Sequence, residues 1–354
     1  MKPTLLACTF LFATITSFSQ KEFFRSKQNF STSQLESFYS SVTVDENLLL
    51  FIANDYKLYA YDKISGEQNW ATSIGYKTRA QCFAADGIVY APYYKEKQES
   101  TATFDAATGK FIKQLPFGPL QTKPVMKDGV LYGTAIYEAG CLFGYDTKTD
   151  SVLWWKFIAH GLSAQPYFFG NYILANAEAN NWFRINYKGQ LTDTTCKEKA
   201  DMFVQDIPCI KKFGALTHDG LELDATFSKK TFDNDEEAIT TENTLTTTQH
   251  SFMLHGDKLA IIGNKRRITK LVDLTTLVED SISENIAGLS QLLSANEETV
   301  TLVYLNQLMV YNFKQGKVEK QFDLSSWDPY QLQQDKDKLW LISRKDGLLY
   351  GLML

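Results

Sequence analysis

Along most of this chain, apolar and polar positions alternate with a period of two in short runs separated by turn residues. That is the pattern of half-buried strands. The stretch Leu58–Trp70 shows the unit. Leu58 to Tyr61 form a strand, Asp62 offers a carboxylate to the amides of the next turn, and Gly66 permits the positive φ of a bulged hairpin. Trp70 places a large ring on the returning strand. The runs Val300–Tyr304 and Leu308–Tyr311 are β-branched and aromatic and read as strands. No unit carries a 3.6-residue apolar stripe, which argues against helical repeats.

The unit recurs. Its turn markers are Asp62, Asp105, Asp146, Asn186, Asp224, Asp273 and Asn312, with Met353 in the equivalent last place, at intervals of 43, 41, 40, 38, 49, 39 and 41 residues. Gly66, Gly109 and Gly316 follow their markers by four residues, and Gly189 follows Asn186 after a shorter turn. In the third unit Asp150 takes the glycine place, and Trp154 stands at the spacing of Trp70. Two further features keep the same phase. Pro124, Pro166 and Pro208 are each 42 residues apart and each opens a strand, where proline costs no ladder bond. Asp86-Gly87, Asp128-Gly129 and Gly170-Asn171 each precede an apolar triplet.

A unit of about 41 residues with several short strands is a β-propeller blade. The markers predict an all-β chain with a single propeller domain of eight blades over residues 21–354, or seven if the weak unit around Asp224 is not a blade. The sequence stops at Leu349–Leu354, before a hairpin return. Residues 21–40, with Phe23, Phe24 and Phe30, are therefore expected to supply the outer strand of the last blade and close the ring. The long interval after Asp224 marks Asp233–Thr248, acidic and Thr-rich, as an inserted mobile surface loop.

The succession of proline, Asp-Gly with an apolar triplet, Leu-Tyr-Ala-Tyr-Asp, Ser/Thr-Gly and Trp resembles the PQQ-like (quinoprotein-type) β-propeller repeat, most clearly over residues 40–190. That family includes quinone-dependent alcohol dehydrogenases. It also includes cofactor-free scaffolds such as the propeller lipoprotein of the outer-membrane assembly machine, which this chain resembles in size and single-domain character. The dehydrogenase members carry two adjacent cysteines near the quinone and a calcium held by Glu, Asn and Asp. No Cys-Cys occurs here, so no cofactor is expected. Trp70, Trp154, Trp155, Trp182, Trp327 and Trp340 are expected to pack between blades, and Asp62, Asp105 and Asp146 to be turn-makers.

Composition adds a compartment. Met1–Gln20 has Lys2, an apolar stretch Leu5–Ile15 and small residues at Ser17 and Ser19, the layout of a secretory signal. Leu5-Leu6-Ala7-Cys8 resembles a lipobox, but most of the apolar stretch follows Cys8, so a lipid anchor there is not expected. No other run is long enough to span a bilayer. The chain is then expected to be exported to the periplasm or cell surface, soluble and monomeric. The net charge of −5 argues against nucleic-acid partners.

Little catalytic chemistry is legible. His160, His218, His250 and His255 form no metal-ligand pair by spacing, and no CxxC, Gly-x-Ser-x-Gly or phosphate-cradling glycine loop occurs. Of Cys82, Cys141, Cys196 and Cys209, the last two are close enough in sequence for a bridge, with buried free thiols as the alternative. Two patches stand out as interface candidates: Tyr93 and Tyr94, in an expanded loop of the second unit, and Lys265-Arg266-Arg267 between strands of the sixth. The expected function is a non-enzymatic propeller that holds another protein in the cell envelope. The alternatives are a small-molecule or glycan sensor using the central funnel, and a quinone- or metal-dependent enzyme.

Overall fold

The computed structural model describes residues 21–30, 42–75, 82–137, 139–159, 166–168, 171–177, 181–195, 209–210, 244–246, 250–255, 258–263, 268–273, 279–281, 291–295, 298–304, 306–312 and 315–354. Every regular element among them is a strand, and the strands form seven separate sheets. No described helix is long and apolar enough to cross a membrane.

The first sheet is the meander Val42–Asp45, Leu48–Ile52, Lys57–Asp62 and Gln68–Ser73. The second (Phe83–Ala85, Ile88–Lys95, Gln98–Asp105, Phe111–Gln114) and the third (Val125–Lys127, Val130–Tyr137, Ala139–Asp146, Ser151–Ala159) repeat it. So does the sixth, Gln291–Ala295 through Lys317–Asp323. The seventh comprises Pro329–Asp335, Lys338–Ser343 and Leu348–Met353, and its outer strand is Lys21–Asn29 from the other end of the chain, antiparallel to Leu348–Met353. Seven of the eight markers end the third strand of a meander unit, and Asp224 lies outside the described residues.

Two sheets carry a fifth strand. Cys209–Ile210, which the proline phase assigns to the opening of a new unit, instead lies parallel to Leu191–Thr195 on the outer edge of the fourth sheet. Thr244–Thr246 pairs antiparallel with His250–His255 on the fifth sheet, so that part of the expected insertion is strand. The rest, residues 233–243 and 247–248, lies outside the described residues, as do Cys196 and Lys265-Arg266-Arg267.

Buried clusters join the first sheet to the second, the second to the third, the third to the fourth, the sixth to the seventh and the seventh to the first, which is how a meander too small for its own core becomes stable. Leu50, Leu58 and Trp70 of the first sheet share a cluster with Val89, Ala91 and Phe104 of the second. Leu131, Phe143 and Tyr145 of the third sheet meet Phe83, Tyr90 and Phe117, while Tyr132, Leu142 and Ile158 on its other face meet Ile173 and Ile185 of the fourth. The inner strands stand side by side: His250–His255, Gln291–Ala295, Pro329–Asp335, Val42–Asp45 and Phe83–Ala85, in that order. This is β-propeller construction.

The turn acids do what their positions predict. Asp62 Oδ1 accepts from the amides of Ile64 (2.8 Å) and Ser65 (2.7 Å), and Asp146 Oδ1 from those of Lys148 (2.8 Å) and Thr149 (3.1 Å). Asp105 accepts from both the hydroxyl and the amide of Thr108. These hydrogen bonds stabilise the charged form and hold all three carboxyls below the ordinary value. A carboxyl depressed in the fold contributes stability above its unfolded pKa of about 3.9 and loses it as pH falls through the folded value. The thermal midpoint is therefore expected to fall below about pH 4. An Asp62→Asn, Asp105→Asn, Asp146→Asn triple variant keeps the acceptor oxygen, as Asn186 and Asn312 do in their units. It should show a shallower acid slope in a calorimetric pH series, and an unaltered slope would contradict this origin.

Candidate functional site

The residues that join one sheet to the next differ from junction to junction. In the first, third and seventh sheets the outer strand carries an aromatic docking residue that lies on the turn of the following sheet, whereas the second, fourth and sixth have Lys113, Asp193 and Lys320 at that place. Trp70 Nε1 donates to Ala106 O (2.8 Å), and a Cβ on Gly109 would sit 2.5 Å from the Trp70 ring. Trp154 Nε1 donates to Tyr187 O (3.1 Å), and a Cβ on Gly189 would again fall 2.5 Å from that ring. Phe24 occupies the same place in the seventh sheet, with its ring 3.2 Å from a Cβ built on Gly66. The marker glycines thus serve a second purpose beyond positive φ: they make room for an aromatic ring.

Between the second and third sheets this pair is exchanged. Lys113 stands where Trp70 and Trp154 stand, each opposite the corresponding residue of its third strand, and Asp150 stands where the glycine does. Lys113 Nζ pairs with Asp150 at 2.8 Å and donates to Tyr145 Oη at 3.1 Å, and Tyr145 also donates to Asp150. Lys113 and then Tyr145 hold the Asp150 carboxyl low, while burial and then Asp150 push the Tyr145 phenol up. Two grooves lie near this junction.

The larger groove, about 420 Å³, is lined by Pro116, Phe117, Ala135, Tyr137, Cys141, Phe143 and the outer-strand residues Val152 to Trp155. Its floor is buried, with the Phe117 and Phe143 rings 4.5 Å apart. Its mouth is exposed: Tyr137 is 43 % accessible, Leu153 52 % and Trp155 48 %, and the Tyr137 and Trp155 rings lie 5.6 Å apart. A smaller groove of about 200 Å³ beside Lys113 and Tyr145 is lined by Tyr90, whose phenol burial raises to about 12.

The other sheets supply an internal standard for the mouth. The outer strand of the first, second, third, fourth and sixth sheets has a bulge that leaves one residue unpaired: Asn69, Ile112, Leu153, Thr192 and Glu319. Two residues on, where the third sheet has Trp155, the first, second and sixth have Ala71, Gln114 and Gln321. Only the second and third sheets place apolar residues at the extruded position, and only the third follows it with an exposed indole. Seven of the ten exposed large apolar side chains among the described residues lie on these two sheets.

The expected sites fare unevenly. Tyr93 and Tyr94 are not in a loop. They belong to the strand Ile88–Lys95, which pairs with Gln98–Asp105 up to a turn at Glu96 and Lys97, both with positive φ. Tyr94 is exposed, and its amide donates to Ile74 O from the incoming segment, whereas Tyr93 is half-buried against Phe104 and Phe111. Trp70, Trp154 and Trp340 pack between sheets as expected. Trp155 does not; its face of the strand is left open beside the groove. Cys209 stands opposite Thr194 in the backbone pairing, and Cys82 and Cys141 are buried. Sequence reasoning missed Tyr137, Leu153 and Trp155. The available signal was Trp154-Trp155, a second indole at a position occupied elsewhere by small or polar residues. Among the described residues, no group of three or more His, Cys, Asp or Glu is placed to hold a metal.

A solved structure shares this fold. The chain matches the computationally designed Ika8 protein with a TM-score of 0.57 and 10% identity, over 95% of this chain and 100% of that one. BamB from Moraxella catarrhalis gives a TM-score of 0.48 and 12% identity, over 89% of this chain and 82% of that one. The likeness is one of fold alone. No family model matches the chain, and no curated protein is similar to it in sequence.

Proposed function

We propose that this chain is an exported, non-enzymatic propeller that holds another protein against the outer edge of its third sheet. The observation that carries this reading is the exposed Tyr137, Leu153 and Trp155 around an apolar groove, with Trp155 at a position that the first, second and sixth sheets fill with Ala71, Gln114 and Gln321. Aromatic anchors beside a desolvated pocket are the composition of an interface core. Export rests on residues 1–20, and the repeat is read as PQQ-like from its resemblance in the succession of proline, Asp-Gly with an apolar triplet, Leu-Tyr-Ala-Tyr-Asp, Ser/Thr-Gly and Trp. The ring is proposed to close through Lys21–Asn29 and to have seven blades, because Cys209–Ile210 and Thr244–Thr246 already belong to the fourth and fifth sheets. A Cys196–Cys209 bridge is also part of this reading, and thiol titration of the unfolded, unreduced protein should then find two free thiols instead of four.

The test is site-specific photocrosslinking in cells that express the chain. A photoreactive residue at Tyr137 or Trp155 should give discrete protein adducts, while one at the exposed Lys317 of the sixth sheet should give none. Identical patterns at all three positions, or no adduct at Tyr137 and Trp155, would refute the assignment of this surface.

A further inference from the structure

One face of the second sheet carries a row of side chains unlike that of its siblings. Residues opposite one another in antiparallel strands share a face, so Tyr90, Thr103 and Lys113 stand in line across the second, third and fourth strands. The same row reads Leu50, Ala60, Trp70 in the first sheet, Tyr132, Gly144, Trp154 in the third and Trp340, Gly351, Phe24 in the seventh. There a small central residue has an aromatic ring opposite it. In the second sheet the row ends in polar atoms instead. Tyr90 is 3 % exposed and lines the groove of about 200 Å³. Its hydroxyl has no hydrogen-bond partner among the described residues, yet it is not sealed off as Gln331 Oε1 and Trp340 Nε1 are, so it opens into the groove. Burial raises the phenol to about 12, so it keeps its proton and can donate. Lys113 commits two of its three ammonium protons to Asp150 and Tyr145, which leaves one.

We propose that this smaller groove is a binding site for a small uncharged amide, separate from the protein-binding surface. Two donors border it, the Tyr90 hydroxyl and the remaining Lys113 proton, and both call for an acceptor oxygen. In a largely buried site such hydrogen bonds are stronger than in water. Charge decides which acceptor fits. Lys113 is the one ammonium among the lining residues, Asp86 lines the same groove, and Asp150 is paired with Lys113. Two carboxylates against one ammonium repel an anion, and an ammonium ligand offers no acceptor. An amide brings a carbonyl for the two donors and an N–H for the exposed Asp86 carboxylate, without net charge. Ile88, Leu115 and Met126 give an apolar wall for its body. The volume lies below the roughly 300–1,000 Å³ of drug-sized sites, which limits the ligand to a single ring or a short chain.

Ligand-observed NMR titration of the purified full chain with benzamide, benzoate and benzylamine, which share one shape and differ in charge, tests this. Benzamide should bind saturably, about tenfold more tightly than either charged analogue. Tyr90→Phe should weaken it by about tenfold at an unchanged thermal midpoint, whereas Tyr132→Phe, the same change at the same row position of the third sheet, should leave it intact. Asp150→Asn removes one carboxylate and releases Lys113, so the preference should invert and benzoate should bind more tightly than benzamide. Absence of saturable benzamide binding, equal affinity for the three probes, benzamide binding indifferent to Tyr90→Phe, or an Asp150→Asn variant that still prefers benzamide overturns the proposal. Photocrosslinking at Tyr137 and Trp155 tests the protein-binding surface separately, because neither residue lines this groove.

Discussion

A chain lacking residues 21–30 should unfold at a midpoint lower by roughly 10 °C or more, or fail to show one cooperative transition. These residues contribute Phe24 and Phe30, 5 % and 2 % exposed, to the cluster between the seventh and first sheets. The Phe24 ring meets Trp340 and Tyr61 edge-on at 5.4 Å, and Phe30 meets Phe51 at the same distance. Ser26 Oγ accepts from Leu349 N at 3.0 Å, and Phe30 N donates to Gly347 O at 2.6 Å. Truncating one buried Phe costs about 3–5 kcal/mol, and total stability is only about 5–15 kcal/mol, so losing both rings and a ladder removes most of the margin. The deletion also bares the edge of Leu348–Met353. Phe24→Ala alone should lower the midpoint in the same direction, and a thermal scan that places either variant within a few degrees of wild type would refute the role of this strand.

The second large effect is expected at Gly109. Its φ of +68° costs any other residue strain, and a Cβ there would lie 2.5 Å from the Trp70 ring and 2.8 Å from Thr72 Oγ1. The left-handed backbone costs about 1–2 kcal/mol and forced overpacking a further 1–3 kcal/mol. Gly109→Asn should therefore destabilise by about 2–4 kcal/mol, because asparagine eases the backbone strain but not the clash. Gly87 is the control. Its φ is +75°, but nothing lies within 4 Å of its Cβ position, so Gly87→Asn should stay within about 1 kcal/mol of wild type. Denaturant midpoints decide this. Equal losses at the two positions would mean that conformation alone matters. A Trp70→Ala, Gly109→Ala cycle should show coupling, since removing the ring removes the clash.

The sequence by itself determined the units of this protein. Alternation, turn acids, Asp-Gly pairs and their shared phase are consequences of local backbone chemistry, which acts over a few residues whatever surrounds them. The outer strand from Lys21 was legible for the same reason, as an aromatic strand matched to a last unit that lacked one. Tertiary structure decided what depends on which sheet covers which face. Trp154 and Trp155 are both indoles on one strand, and their spacing cannot say which is buried. The bulge at Leu153 and the turn at Gly189 set that choice, docking Trp154 and leaving Trp155 in solvent. The exchange of Trp and Gly for Lys113 and Asp150 carries meaning only once the two are known to meet across a sheet boundary. The hairpin carrying Tyr93 and Tyr94 turns on Glu96 and Lys97 without a glycine, so no local signal separated strand from loop there. The groove arises from these non-local choices, because period-two strands fix which side chains share a face but not which neighbouring sheet comes to cover them.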